Sequence, residues 1–94
     1  MADHREVEAY RILLLIVRHL VHDPDAVEIE IRLGELGTTF HIRADRRSTA
    51  FLLGKQGRTA RSIRTILGAM GIKSRRKYYL EIEGDTAMWV APED

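Results

Sequence analysis

The residues best suited to chemistry in this chain are two glycines three positions apart, Gly54 and Gly57, which enclose Lys55 and Gln56. Glycine has no Cβ, so the backbone can turn sharply there and a ligand can approach the main chain itself. Where such a loop leads into a helix, the free N–H groups and the positive dipole end of that helix attract anions. Arg58 adds a fork-shaped hydrogen-bond donor beside them. This spacing predicts a loop that binds phosphate groups.

Cationic and apolar residues recur at helical spacing in the segment that follows the loop. Arg58, Arg61 and Arg64 step every three residues along one stripe of a predicted helix. The apolar stripe lies roughly opposite and consists of Ala60, Ile63, Ile66 and Leu67. These stripes predict a groove that follows a sugar–phosphate backbone and has an apolar floor. The candidate binding residues are Leu53, Gly54, Lys55, Gln56, Gly57, Arg58, Arg61 and Arg64.

Glycine pairs with this spacing occur three times, at 34–37, 54–57 and 68–71. The first pair lies in a predicted hairpin turn beside Glu35, and the third lies at a predicted helix end. Both are interpreted as turn and cap glycines. Only the middle pair joins two predicted helices and is surrounded by cations, so it alone is a candidate site.

Charge is distributed unevenly along the chain although the formal net charge is only +1. Residues 46–80 contain ten Lys and Arg residues and no acid, whereas residues 1–45 contain nine acids and residues 81–94 contain five. A segregated positive surface raises the local concentration of phosphate groups. The alternative interpretation is an ordinary solvated basic face, which the glycine loop within the same segment makes less attractive.

Other chemistries have weak support in the sequence. His19 and His22 lie near Asp23 and Asp25 and could contact a metal, but solvated helix-end histidines explain them better because a zinc site needs three or four converging ligands. His41 is predicted to be a surface residue on the outward face of a strand. The chain has no cysteine and no paired carboxylates or serine in a catalytic setting. We therefore predict no enzyme activity, no metal and no cofactor.

Length and composition limit the chain to one small domain. It has 94 residues, of which 45% are hydrophobic and 31% charged, as in ordinary soluble proteins. The longest apolar run, residues 12–17, is far shorter than the roughly 20 residues that a membrane helix needs. The N-terminus lacks the layout of a secretory signal, and the absence of cysteine suits a reducing compartment. We expect a cytoplasmic protein without a membrane segment.

The periodicity of the apolar residues predicts six elements. A helix from about residue 5 to about residue 22 begins at an Asp3–Glu6 capping box and ends before Pro24. Alternating residues at 27–33 and 39–43 predict two strands of an antiparallel hairpin. A short helix capped by Ser48 leads to Gly54. Another helix begins near Gly57, buries Ile66 and ends at a Gly71 cap, and Ile72 is placed to make the hydrophobic contact that accompanies such a cap. A third strand has Tyr78, Leu80 and Ile82 on its inner face.

The order is therefore α-β-β-α-α-β. The helix pair between strands two and three is long enough for a right-handed parallel crossover. We predict an α+β fold with a three-stranded mixed sheet and three helices on one face. The domain is assigned to residues 1–84, and residues 85–94 are assigned to a C-terminal tail in which Met88, Trp89 and Val90 could pack on the sheet or form an oligomer contact.

The segment LLGKQGRTARSIR at residues 52–64 resembles the core of a KH domain. More narrowly, the chain resembles the small, stand-alone bacterial KH proteins of the KhpA type. The apolar first helix followed by HDPDAV at 22–27, and the prokaryotic-type element order, extend the resemblance over roughly residues 7–83. Phe51 and the tail depart from the family pattern.

The resemblance implies that the 54–57 loop holds the backbone of about four single-stranded RNA nucleotides while the bases lie on the adjoining apolar surface. A role as an RNA chaperone or post-transcriptional regulator would follow. The resemblance also suggests homodimers or pairing with a larger KH-containing partner of the Jag type. A protein-interaction adaptor in which RNA binding is secondary remains the alternative.

Overall fold

The structure is a computed structural model, and it describes residues 2–84. The elements in chain order are helix α1 (His4–Leu20), strands β1 (Glu28–Leu33) and β2 (Thr38–Arg43), helices α2 (Arg46–Leu53) and α3 (Arg58–Lys73), and strand β3 (Tyr78–Ile82). Two 3-10 turns lie between them, at Pro24–Ala26 and Lys55–Gly57. The predicted α-β-β-α-α-β order is confirmed.

Helix α1 begins as its sequence predicts. The Asp3 carboxylate accepts hydrogen bonds from the backbone N–H groups of Arg5 and Glu6, and the Glu6 side chain accepts one from the N–H of Asp3. The helix ends at Leu20, slightly earlier than predicted, because the backbone of Val21 is already extended, and a 3-10 turn follows at Pro24–Ala26. Proline favours the first turn of such a helix, where its missing N–H is not needed.

The three strands form a mixed sheet in the order β1-β2-β3. Strands β1 and β2 are antiparallel, with Ile31 opposite Phe40, and strands β2 and β3 are parallel, with Phe40 beside Leu80. Helices α2 and α3 form the crossover between the parallel strands. The predicted mixed sheet is therefore confirmed.

The core lies between the inner face of the sheet and the three helices. The ring of Phe40 makes an edge-to-face contact with the ring of Tyr78, with centroids 5.2 Å apart. The buried apolar residues are Ala9, Leu13, Val17, Val27, Phe40, Ile42, Leu52, Ala60, Ile63, Leu67, Tyr78, Leu80 and Ile82. All three helices and all of the predicted inner positions of β2 and β3 contribute to this core.

Three predictions about helix ends and faces were wrong. Asp45, not Ser48, caps α2, and Ser48 lies one turn later, where its N–H donates to the Asp45 carboxylate at 3.2 Å. Gly71 does not end α3, which continues to Lys73. A Cβ at Gly71 would lie 2.6 Å from the carbonyl oxygen of Arg76, so this glycine serves close packing instead.

The predicted apolar face of α3 was also too wide. Ile66 is 49% exposed, and Ile72 is exposed as well, so neither joins the core. Ala60, Ile63 and Leu67 are buried as predicted.

A buried polar cluster joins α1 to the start of β2 and the turn before β3. The Glu6 side chain is almost fully buried and accepts a hydrogen bond from the Thr38 hydroxyl. The Arg76 guanidinium donates to that hydroxyl at 3.2 Å, and its Nε lies 3.6 Å from the Glu6 carboxylate. This ion pair links α1 to the turn before β3, and removal of either partner would leave the other with a buried, unpaired charge.

The assignment of residues 85–94 to a tail concerns residues outside the described part of the chain. Within residues 2–84, no helix has both the length and the apolar character to cross a membrane.

Candidate nucleic-acid interface

The 54–57 loop joins α2 to α3 through four residues, three of which have left-handed backbone angles. Gly54 ends α2 with φ 71° and ψ 174°, and Gly57 precedes α3 with φ 72° and ψ 14°. Gln56 has φ 58° and ψ 27°, an uncommon conformation for a residue with a side chain. The N–H of Gly57 donates to the carbonyl of Gly54 at 3.1 Å and closes the turn. A strained residue at the tip of a tight turn is a common feature of functional loops.

The two glycines serve different purposes. A Cβ at Gly54 would lie 2.3 Å from Oγ1 of Thr59 and 2.9 Å from its backbone nitrogen, so the loop packs directly on the first turn of α3. A Cβ at Gly57 would meet no atom within 4 Å. Gly54 is therefore required for the protein's own packing, whereas Gly57 leaves open space in front of the main chain.

The N-terminus of α3 differs from those of α1 and α2. Carboxylates cap both of the other helices, Asp3 on α1 and Asp45 on α2. Gly57 offers α3 no side-chain cap, and the first turn of α3 contains no acid. The positive dipole end of α3 therefore has no capping carboxylate to neutralise it, which favours an anion.

The predicted site residues lie on the loop and on the adjoining helices. Lys55, Gln56, Arg58 and Arg61 have exposed side chains, and Leu53 is half-buried beside the loop. Within residues 2–84, no ion pair involves Lys55, Arg58 or Arg61. These cations are therefore available to a phosphate group.

Two site positions differ from a simple exposed stripe. Arg64 is half-buried, whereas Arg58 and Arg61 are exposed, so the three arginines do not present equal charge to solvent. Phe51, three residues before Gly54, is exposed although it lies in an apolar run. Sequence periodicity could not separate Phe51 from its buried neighbour Leu52, because a helix as short as α2 offers too few repeats.

The sequence-family model described as the KH domain of KhpA/KhpB matches residues 11–82 of this chain. The chain belongs to this KH-domain family. Relatives named RNA-binding protein KhpA include one from Borreliella burgdorferi, 37% identical over 71 residues that cover 76% of this chain and 87% of that protein. One from Aquifex aeolicus is 38% identical, and the match covers 76% of this chain and 90% of that protein. One from Listeria monocytogenes is 35% identical, and the match covers 76% of this chain and 93% of that protein.

Part of one solved structure has a fold similar to that of this chain. A crystal structure of an Aquifex aeolicus Era variant, bound to GDP and aluminium fluoride, superposes with a TM-score of 0.52 over 87% of this chain and 31% of that chain. The two sequences are 22% identical in this comparison, so the likeness concerns the fold alone.

The outer face of the sheet in this KhpA/KhpB-family domain is acidic. Four glutamates, Glu28, Glu30, Glu81 and Glu83, stand there with two arginines, Arg32 and Arg43. The guanidinium of Arg43 bridges Glu28 at 3.6 Å and Glu83 at 3.0 Å. A hydrogen bond from Arg32 holds the pKa of the Glu30 carboxyl below its usual range. This face disfavours phosphate, whereas the exposed cations Lys55, Arg58 and Arg61 lie on the loop and on α3.

His41 corrects one prediction on this outer face. It faces outward as expected, but its side chain is only 6% exposed because Glu81 of β3 and Glu83, just after that strand, lie against it. Its Nδ1 lies 2.7 Å from the Glu81 carboxylate, and its Nε2 lies 3.6 Å from that of Glu83. Strand alternation gave the correct face but could not show that long side chains of the next strand would cover the ring. Within residues 2–84, no group of three or more His, Asp or Glu side chains could hold a metal ion.

Proposed function

We propose that this KH domain binds single-stranded RNA and that the 54–57 loop holds the sugar–phosphate backbone of about four nucleotides. The observation that carries the proposal is the uncapped N-terminus of α3 behind an open glycine, with unpaired cations on both sides. The names of the relatives, RNA-binding protein KhpA, support the same ligand.

Each candidate residue has a distinct role in this proposal. Gly57 lets the strand approach the main chain, Gly54 keeps the loop packed on α3, and Lys55 and Gln56 contact a phosphate from the tip of the loop. Arg58, Arg61 and Arg64 extend the cationic track along α3. Leu53 supplies apolar contact for a base, because an unstacked base needs a surface to replace its neighbours.

The domain should prefer a single strand to a duplex. A base can reach the apolar surface beside Leu53 only when it is unpaired and turned away from its own strand. The matching cellular role is that of an RNA chaperone or post-transcriptional regulator in the cytoplasm, without catalysis and without a cofactor.

A protein-interaction adaptor is the second candidate function, with a homodimer or a larger KH-containing protein as the assembly. Exposed apolar side chains on the helices favour it: Leu15 on α1 and Ile66 and Ile72 on α3. None of them is a residue of the 54–57 loop, so such a contact and RNA binding are compatible.

The deciding experiment is a titration of the full chain with a fluorescent single-stranded RNA at several salt concentrations. A variant that combines Lys55→Asp and Gln56→Asp should bind no RNA, since two carboxylates would face the phosphate and oppose the dipole of α3. Both side chains are exposed, so circular dichroism should show an unchanged fold. If about three phosphates are contacted, the logarithm of the affinity should fall with log salt at a slope of about −2.

Arg32→Ala is the control, because it removes one cation from the outer face of the sheet, where Arg32 pairs with Glu30 and Glu81. The affinity of the Arg32→Ala variant for RNA should stay close to that of the unmodified chain. A folded double-aspartate variant that binds as tightly as the unmodified chain would refute the proposed loop contact and favour the adaptor function. Equal affinity for a perfect duplex would refute the single-strand preference.

A further inference from the structure

Strand β1 lies at an edge of the sheet, and within residues 2–84 it pairs with β2 alone. In β2, the N–H of Thr38 and the carbonyl of Ile42 both form hydrogen bonds on the side of β3. Their partners on β1 are Leu33 and Ile29. In an antiparallel ladder such pairs direct their N–H and C=O groups away from each other, and the pattern repeats at every second residue. Ile29, Ile31 and Leu33 therefore present their backbone groups to the free edge of β1, where a further strand can bond to them.

The apolar layer between the sheet and the helices is open at this edge. Ile31 lies opposite Phe40, so the two side chains share the inner face of the sheet. Phe40 is completely buried. On β1, however, Ile29 and Ile31 are half-buried, and Leu33 is 44% exposed. A strand that pairs with the free edge would bring its own inner side chains against these residues, so it needs apolar residues at every second position.

The outer side chains of β1 restrict the partner further. They are Glu28, Glu30 and Arg32, and all three are exposed. Charges often protect an edge strand from pairing with its own kind, because like charges then meet across the contact. Strand β1 carries both signs, so two copies of it attract each other in a register that places an acid opposite the base.

The register of two antiparallel β1 strands follows from these faces and charges. Apolar side chains meet apolar ones only if the two-fold axis passes through a residue, because a shift of one position turns the faces of a strand over. An axis at Glu30 brings two carboxylates together, and an axis at Arg32 brings two guanidinium groups together. An axis at Ile31 instead places Glu30 of each copy opposite Arg32 of the other. It also places Ile29 opposite Leu33, so in this register β1 is complementary to its own copy.

We infer that two copies of this chain associate through the free edges of β1, in the antiparallel register with its axis at Ile31. The backbone of Ile31 exchanges hydrogen bonds with its counterpart, and that of Ile29 does so with Leu33 on each side of the axis. The contacts between Glu30 and Arg32 lie on the outer face of a single sheet that continues through both copies. The inference rests on the homodimer named above as an assembly of the second candidate function, and it requires no RNA.

The charges allow a test in which two weakened variants restore each other. Glu30→Lys and Arg32→Glu change exposed side chains, so circular dichroism should show an unchanged fold. Analytical ultracentrifugation at low salt, where exposed charges are least screened, measures the dissociation constant of each dimer. Each variant alone should raise this constant about tenfold, because two pairs of opposite charges become two pairs of like charge.

An equimolar mixture of the two variants should dimerise nearly as tightly as the unmodified chain. In the mixed dimer the introduced lysine faces the introduced glutamate, and the remaining Arg32 faces the remaining Glu30. A fluorescent label on one variant shows that the recovered species contains both. If each variant is weakened and the mixture stays as weak, Glu30 and Arg32 do not meet across the contact and the inference is wrong.

Glu28→Lys is the matched control, because it makes the same change of charge on the same face of the same strand. With the axis at Ile31, Glu28 lies opposite Gly34, which has no side chain, so the dissociation constant should change by less than about twofold. A change as large as that of Glu30→Lys would overturn the inferred register, because an axis at Glu30 places Glu28 opposite Arg32.

Hydrogen exchange of the full chain identifies the edge directly. The amides of Ile29, Ile31 and Leu33 should be protected at high protein concentration and should exchange quickly after dilution. The amides of Glu30 and Arg32 bond to β2 and should stay protected at both concentrations. Fast exchange of the first three amides in the dimer would show that the copies meet through another surface.

The remaining outcomes separate this inference from the proposed RNA binding. If dimers form and neither charge variant alters their dissociation constant, the contact lies on the exposed apolar residues of the helices or in residues 85–94, and the inference is wrong. A monomer at high concentration overturns it as well. The variant with Lys55→Asp and Gln56→Asp should dimerise like the unmodified chain, because the contact includes no residue of the 54–57 loop. Loss of RNA binding and loss of the dimer are therefore distinct results.

Discussion

The position that a Cβ of Gly54 would occupy lies 2.3 Å from Oγ1 of Thr59. The candidate RNA-binding loop is thus packed against the first turn of the helix that follows it. Gly54 also has φ 71° and ψ 174°, a backbone conformation that is essentially restricted to glycine. The loop's shape and the helix's position therefore depend on the same residue.

The two loop glycines should respond differently to alanine. Gly57→Ala should lower the free energy of unfolding by about 1–2 kcal/mol, which is the cost of placing a residue with a Cβ in the left-handed conformation. No packing cost is added, because no atom lies within 4 Å of the new carbon. Gly54→Ala should lower it by more, since the overlap with Thr59 adds to the backbone strain. Urea denaturation of both variants measures the difference.

A double variant tests the cause of the larger effect. Thr59→Ala removes Oγ1 and should recover part of the stability lost in Gly54→Ala, but not all of it, because the backbone nitrogen of Thr59 also lies within 2.9 Å of the new carbon. Equal losses in Gly54→Ala and Gly57→Ala would show that packing against Thr59 contributes nothing.

Asp45 should make the stability of α2 depend on pH in acid. Hydrogen bonds from the side chain and then the backbone of Ser48 hold the pKa of Asp45 below its usual value of 3.8. A carboxyl whose pKa is lower in the folded state stabilises the fold above its unfolded pKa, and this contribution disappears as the pH falls through the folded pKa.

The measurement is the urea midpoint of the unmodified chain and of Asp45→Ala between pH 7 and pH 2. The unmodified chain should be the more stable at neutral pH because an ionised cap satisfies the N–H groups of α2. The difference should begin to shrink below about pH 4, where the unfolded carboxyl takes up a proton, and it should disappear once the pH falls through the lower pKa of the folded cap. A difference that stays constant over the whole range would contradict the role of the ionised carboxylate.

The buried pair of Glu6 and Arg76 should be sensitive to the loss of one partner. Arg76→Ala leaves the Glu6 carboxylate buried at 3% exposure with the Thr38 hydroxyl as its remaining side-chain partner. We expect a loss of about 2–3 kcal/mol in the free energy of unfolding, somewhat less than for a fully buried pair because the Arg76 side chain is 36% exposed.

A second substitution shows whether the unpaired charge causes this loss. Glu6→Gln in the Arg76→Ala background removes the charge but keeps the shape, so it should restore part of the stability. The same substitution in the unmodified chain should be destabilising. If Glu6→Gln has the same effect in both backgrounds, the two side chains are not coupled.

Self-association should depend on surfaces away from the 54–57 loop. Sedimentation velocity of the full chain should show dimers at high concentration, and deletion of residues 85–94, which include Met88, Trp89 and Val90, shows whether those residues form a second contact besides β1. The variant with Lys55→Asp and Gln56→Asp should associate like the unmodified chain. A chain that is monomeric at high concentration with or without those residues would refute this prediction.

The sequence was sufficient to predict the elements and the sheet because their signals are local and periodic. The alternation of Tyr78, Leu80 and Ile82 fixed the inner face of β3, and the Asp3–Glu6 pair located the start of α1 within one residue. The loop between α2 and α3 could also be predicted from the sequence, because its glycines and cations lie next to one another in the chain.

The errors concern features that depend on distant residues. Glycine is common at helix ends, so Gly71 was interpreted as a cap. In the structure a side chain is excluded at Gly71 because the chain turns back after α3 and brings the carbonyl oxygen of Arg76 against it. The burial of His41 depends on Glu81, which lies 40 residues later in the chain, and on Glu83.

The acidic outer face of the sheet also affects how the protein meets a polyanion. Its glutamates lie on the side of the sheet opposite the helices that bear Lys55, Arg58 and Arg61, so the domain is an electric dipole although its formal net charge is only +1. In the electric field of an RNA strand, such a dipole experiences a torque that turns its helical side toward the RNA before contact. In the RNA binding proposed above, the glutamates would accelerate productive encounters without touching the RNA, and added salt would remove this orientation together with the attraction.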